Sequence, residues 1–131
     1  MTMNNAYQAY QQGSVNTATP GELTLMLYNG CLKFIRRAKT AIENREVEEK
    51  NKNLIKAQNI ITELMVTLRT GSELSDQMRT MYDYINQRLM KANIESSVDI
   101  LEEVESYVME FRDTWKEVIQ KTGSSKGYDH E

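Results

Sequence analysis

The chain's single proline stands at position 20, and from Glu22 to Lys121 its only glycines are Gly30 and Gly71. Proline and glycine are the residues that interrupt helices, by about 3 and about 1 kcal/mol relative to alanine. A stretch this long and this free of both is constrained to fold as long helices joined by short turns. No alternating strand signature competes with that reading, and nothing repeats at the period of a solenoid. At 131 residues the chain is one domain, long enough to bury a core of its own.

The start of the first helix is written in four residues. In Thr19-Pro20-Gly21-Glu22, the Thr19 hydroxyl is placed to accept from the third helical amide while Glu22 reaches back to the Thr19 amide, a capping box. Pro20 then falls at N1, where its missing N–H is harmless, and Ala18 with Leu23 forms a weak hydrophobic staple. This helix is expected to run to about Asn44. A second should span Val47 to Arg69 with Gly71 as its stop, its core stripe being Leu54, Ala57, Ile61, Leu64 and Leu68. A third begins with Ser75 as N-cap and reaches Asn93, turning Met78, Met81, Tyr82, Ile85, Leu89 and Ala92 to one side. A fourth covers Ser97 to Lys121 and buries Leu101, Val104, Val108, Phe111, Trp115 and Ile119. Short loops make neighbours antiparallel, so the expected fold is all-α, an antiparallel up-down-up-down four-helix bundle over 19–121. Residues 122–131 have no periodicity and are expected to be a disordered tail.

Residues 1–18 differ in kind. No charged side chain occurs before Glu22; the segment is Asn, Gln, Ser and Thr dotted with Tyr7, Tyr10 and Val15. It can lie across apolar surface without desolvating a charge, yet it carries little apolar area to hold it there. It reads as a weakly docked lid, with Tyr7, Tyr10 and Val15 as its contacts.

Something for such a lid to cover is suggested by the first helix. At about 100° per residue its apolar side chains fill an arc of roughly 200°, against roughly 100° for an ordinary core stripe. The flank around Leu25, Tyr28 and Leu32 has no evident partner among four helices. Ile55 and Val66 on the second helix, and Tyr84 and Met90 on the third, also project away from their stripes. Two readings stand side by side. Either these are scattered surface apolars and the first helix is simply the most central one, or an apolar groove runs over the bundle and is covered from outside.

Several chemistries are excluded. The only histidine, His130, lies in the tail, so neither a metal site nor His-based catalysis is expected, and no Glu-x-x-His pair exists for a di-iron bundle. Phosphate loops and dinucleotide fingerprints are absent, no cofactor is implied, and Glu102 with Glu103 reads as a solvated helix face. The chain is therefore not expected to be an enzyme. With 16 basic against 19 acidic residues and a net charge of −3, it lacks the basic face of a nucleic-acid binder. Lys33, Arg36, Arg37 and Lys39 form the most basic stretch and read as a solvated helix face. The lone Cys31 reads as a buried small hydrophobe in a reducing compartment. Without a basic n-region or an apolar run near 18 residues, neither secretion nor membrane insertion is expected, and the chain reads as cytosolic. Met26, Met65, Met78, Met81, Met90 and Met109 fill core gaps or line an adaptable binding surface.

The run SVNTATPGELTLMLYNGCLKFIRRA resembles the opening of the FliS family of flagellar export chaperones, through Val15, Thr17, Ala18, Pro20, Glu22 and Leu23, followed by Met26, Leu27, Tyr28, Asn29 and Gly30. The similarity continues through KNKNLIKAQNIITEL, MYDYINQRLMKAN and LEEVESYVMEFRDTWKEVI, covering about residues 7 to 120 in order. Asn29 stands where many members carry Asp, Ile85 where Met is frequent, and TGSELSDQ lacks the fuller glycine run between the second and third helices.

The resemblance implies a cytosolic chaperone that binds the C-terminal segment of flagellin one-to-one, prevents premature polymerisation and presents it to a component of the flagellar type III export gate. It also implies an N-terminal segment that occupies part of the groove when substrate is absent, and it supports the Tyr28 region as part of that groove. The physical reading meets it there, because covering one amphipathic stripe of flagellin blocks pairing of its terminal helices by helix-in-groove recognition. The groove residues expected are Leu25, Tyr28, Leu32, Ile55 and Val66, with Tyr84 and Met90. Two rivals use the same surface: a regulatory partner of another flagellar protein such as an anti-sigma factor, and a bundle that forms a homodimer through its first helix when free.

Overall fold

The computed structural model describes residues 19–68 and 71–129, with the backbone alone for 122–129. These residues form α1 (Pro20–Glu43), α2 (Val47–Val66), α3 (Glu73–Glu95) and α4 (Val98–Asp129). α1 packs on α2 and α4, and α3 packs on the same two helices from the other side. Order around the bundle thus follows order in sequence, the up-down-up-down arrangement that the short connections require. The α1–α2 interface is the most extensive and the α3–α4 interface the least, so the bundle is tightest at its first hairpin and loosest at its last.

Local chemistry sets the ends of the helices. The capping box at α1 is formed: the Glu22 amide donates to Thr19 Oγ1 at 3.1 Å and the Thr19 amide to Glu22 Oε1 at 3.0 Å. At the other end Arg45 takes a left-handed φ of 60°, while the Glu46 amide reaches the Ala41 carbonyl at 2.8 Å and the Arg45 amide that of Ile42 at 3.1 Å. This is a Schellman closure made without glycine. α2 stops at Val66 rather than at Arg69. The Thr67 hydroxyl turns back onto the Leu64 carbonyl at 2.7 Å, and the Thr67 and Leu68 amides tighten onto carbonyls three residues back. Gly71, at φ 90°, therefore serves the following turn and not the helix end.

α3 begins earlier than expected. Its cap is Ser72, whose Oγ accepts from the Ser75 amide at 3.0 Å; Ser75 is the third helical residue and not the cap. α3 ends at Ser96 with φ 50°, where the buried ammonium of Lys50 donates to the Asn93 carbonyl at 2.8 Å and to Ser96 Oγ at 2.7 Å. One helix thus supplies the cation that closes the C-terminus of another. α4 continues as helical backbone to Asp129. Propagation adds one backbone hydrogen bond per residue without an apolar face, and no proline follows Lys121 to stop it. Residues 130 and 131 lie outside the described residues.

The core is built on α1. Tyr28 is 2% exposed and Leu32 1%, so two of the three residues of the flank expected to lack a partner are enclosed by the bundle itself, and Leu25 is half-buried. Because α1 lies between α2 and α4 while facing α3 across the core, its wide apolar arc spans two interfaces and the centre. Cys31 is also fully buried beside the Ala57 carbonyl, and burial pushes its thiol up to about 12, an unreactive state. Among the described residues, no helix is long and apolar enough to cross a membrane.

Candidate functional site

The opening in the bundle lies at the end where α1 and α3 begin, α2 finishes and the later turns of α4 pass. An apolar trough with two lobes crosses that end. Between α3 and α4 a lobe of 370 Å³ is walled by Leu74, Met78, Met81, Phe111, Trp115 and Val118. Between α1 and α2 a lobe of 530 Å³ is walled by Pro20, Leu23, Leu64, Leu68 and Tyr82. Tyr28, Met78 and Trp115 belong to both.

Each shared residue is held in place. Trp115 donates its indole N–H to the Gly21 carbonyl at 2.8 Å, tying α4 to the first turn of α1. Phe111 stacks on Tyr28 with centroids 5.9 Å apart and planes 8° apart, and tilts against Tyr82 at 5.4 Å. Across the bundle the Tyr28 and Tyr82 hydroxyls hydrogen-bond to each other. Burial pushes both phenols above their ordinary value, for Tyr28 in spite of its bond with Tyr82. Leu74 and Val118, by contrast, remain 67% and 41% exposed at the lip. Methionine pairs such as Met78 and Met81 adapt their shape to varied partners.

Charge is kept to the seams. Glu103 accepts from the Tyr84 hydroxyl at 2.7 Å and from Arg88 at 2.8 Å, joining α3 to α4. Glu105 accepts from Arg36 at 2.6 Å and Lys39 at 2.7 Å, joining α1 to α4. Burial alone would raise the Glu105 carboxyl, but the hydrogen bonds and charges of Lys39 and Arg36 outweigh it and hold the group below the ordinary carboxylate value. Among the described residues no cluster of His, Cys, Asp and Glu has the makings of a metal site.

The seven expected groove residues do not share one groove. Leu32 is in the core, Tyr28 floors both lobes of the trough, and Leu25 is half-buried without lining either lobe. Ile55, Val66 and Met90 are exposed, as expected, but along the edge between α2 and α3, flanking the hydrogen bond of 3.2 Å from Asn86 to Thr62. Tyr84 is exposed on the opposite edge of α3, against Tyr107. Tyr7, Tyr10 and Val15 fall outside the described residues. Phe111 and Trp115 escaped the sequence reading as site residues because their spacing is that of a core stripe; the paired Met78 and Met81 were the available signal.

Fold and trough together define a small all-α bundle with a largely apolar recess at one end, bordered by Glu63 and Glu110. A family model described as "Flagellar protein FliS" matches residues 3–122, and the chain belongs to the FliS family, whose members are flagellar secretion chaperones and not enzymes. It is 64% identical over 120 residues to a flagellar secretion chaperone FliS of Bacillus subtilis, covering 92% of this chain and 90% of that one. It is 34% identical to the FliS of Campylobacter jejuni, covering 90% and 94% of the two chains, and 31% identical to that of Salmonella typhimurium, covering 87% and 90%. A solved bacterial flagellar chaperone shares the fold, with a TM-score of 0.73 at 19% identity over 89% of this chain and 97% of that one.

Proposed function

We propose that the chain is a cytosolic export chaperone that binds the C-terminal segment of flagellin one-to-one, prevents its premature polymerisation and delivers it to the flagellar type III export apparatus. The observation that carries this reading is the trough, an apolar recess open at Leu74 and Val118 with no carboxylate or cation at its floor. An amphipathic client helix that lays its apolar stripe there is withdrawn from pairing with other flagellin helices. Tyr28, Met78 and Trp115 form the floor, with Leu68, Leu74 and Val118 as walls and lip. Ile55, Val66 and Met90 offer a second strip along which a wrapping client continues.

Residues 1–18 join the bundle at Thr19, next to Pro20 and Gly21 on the wall of the larger lobe. Tyr7, Tyr10 and Val15 are thus assigned to a lid that covers the trough until client displaces it. Deleting residues 2–14 is expected to leave the thermal transition in place and to tighten client binding modestly, as removal of a competitor does. Loss of folding in the deletion would make the segment part of the core instead.

The reading is tested by co-purification of the chain with flagellin and with flagellin lacking its C-terminal segment. A one-to-one complex that requires that segment is expected. Equal binding of the truncated flagellin, or capture of a flagellar regulator in its place, would refute the assignment.

A further inference from the structure

The floor of the trough contains a polar feature that apolar docking does not use. Tyr28 from α1 and Tyr82 from α3 are each 2% exposed, and both line the larger lobe. Their hydroxyls carry two protons between them, but one hydrogen bond joins them. A hydroxyl donates once, so whichever ring donates to its partner leaves that partner's proton without an acceptor. Neither hydroxyl has a second partner among the described residues. Leu27, Leu64, Met78 and Trp115 line the lobe with them, Phe111 packs on both rings, and the polar residues on the same walls, Thr24, Glu63 and Thr67, bond to neither hydroxyl. A buried donor without an acceptor is unfavourable, and native folds keep few of them.

Resting on the reading that flagellin's C-terminal segment docks in this trough, we propose that the Tyr28–Tyr82 pair is its polar recognition point and donates one hydrogen bond to an amide carbonyl of the client. The pair acts as a two-hydroxyl relay. One tyrosine donates its O–H to the other, and the second donates its own O–H to the client oxygen, so that both donors are satisfied only in the complex. Discrimination follows from this. An apolar side chain fits the trough in shape, but it leaves the donor unsatisfied; a segment that places a carbonyl there, from the last turn of a helix or from an Asn or Gln side chain, satisfies it. Sites built to hydrogen-bond their ligand reject analogues lacking the group more strongly than apolar pockets discriminate by size.

The test uses the full chain with Tyr28→Phe, Tyr82→Phe and both together, thermal unfolding without client, and titration with a synthetic peptide of flagellin's C-terminal segment. Without client, each single variant strands one hydroxyl in the core and is expected to melt about 3–8 °C lower. The double variant strands none and is expected to melt within about 2 °C of the parent, because removing both partners of a buried pair is close to neutral. Affinity for the peptide is expected to fall about tenfold in the double variant, the equivalent of about 1.4 kcal/mol. Replacing the peptide's Asn and Gln by Leu tells the two carbonyl sources apart: the tenfold difference disappears if a side chain supplies the acceptor and persists if the main chain does.

A double variant as unstable as the two singles combined would mean that the acceptor is already present in the free protein, which overturns the proposal. So would unchanged peptide affinity in the double variant. Leu68→Asp, on the wall of the same lobe, separates this from failure of the broader reading. If Leu68→Asp abolishes binding while the double variant binds normally, the pair has no role but the trough is the site. If Leu68→Asp binds normally too, the site itself is elsewhere.

Discussion

Charging the lip of the trough distinguishes a docking surface from a packing defect. Leu74 and Val118 are 67% and 41% exposed, so neither is part of the closed core, and both lie on the wall of the lobe between α3 and α4. Complete burial of such side chains contributes about 1.5–3 kcal/mol each. The fraction still exposed leaves about 1–2 kcal/mol at Leu74 and about 0.6–1.2 kcal/mol at Val118 for a client to gain. Losing both corresponds to a drop in affinity of roughly 10- to 200-fold, and burying a carboxylate adds to it. The double variant Leu74→Asp/Val118→Asp should therefore bind a flagellin C-terminal peptide at least tenfold more weakly in isothermal titration. It should still fold, with a thermal transition lowered only by the burial the two side chains already have, about 1–3 kcal/mol in all. Leu32→Asp is the contrast: at 1% exposure it places an unpaired charge in the core and should prevent folding altogether. A lip variant that folds normally and binds with unaltered affinity would refute the placement of the site.

Three further outcomes concern the bundle. Lys50→Met removes the cation from the C-terminus of α3 and leaves the Asn93 carbonyl unsatisfied, so a loss of about 1–3 kcal/mol in urea unfolding is expected; no loss would show that Lys50 is incidental. Arg45→Gly relieves a left-handed residue at φ 60° and should stabilise by about 1 kcal/mol, seen as a higher melting temperature. The Glu105 carboxyl is held below its unfolded value of 4.5, so its contribution is complete above that pH and is lost as pH falls through the lower, folded value. Glu105→Gln should accordingly flatten the acid side of the stability profile below about pH 4.5 and destabilise at neutral pH, and an unchanged acid limb would contradict the role given to Arg36 and Lys39.

Much of the fold could be read before any coordinates. Pro20 with Glu22 fixed the start of α1, the spacing of Leu54, Ala57, Ile61 and Leu64 fixed the buried side of α2, and the shortage of breakers fixed the helix count. What escaped depended on choices between near-equivalent local interactions. Ser72 and Ser75 are both fit to cap, and only the geometry of the turn selects the former. Thr67 ended α2 through a bond from its hydroxyl to its own helix, a competition that periodicity does not register.

The site was less legible for a different reason. A helical wheel gives angle and not depth, so Tyr28 and Leu32 appeared as a flank without partners although α2 and α4 close over them. The trough arises because four helices leave space at one end. Met78, Phe111 and Trp115 border that space while keeping the spacing of a core stripe, and nothing in a one-dimensional pattern separates the two situations. Of the expected groove, Tyr28 lies in the trough, and it does so as its floor.

The trough can be interrogated directly through Trp115, the chain's single tryptophan, which lines both lobes and is bonded to Gly21. Titration with a tryptophan-free peptide of flagellin's C-terminal segment, followed by Trp115 emission and acrylamide quenching, reads occupancy where it is proposed. A saturable one-to-one change is predicted, with the indole more shielded in the complex. A complex that forms by calorimetry while Trp115 emission and quenching stay as in the free protein would contradict the account.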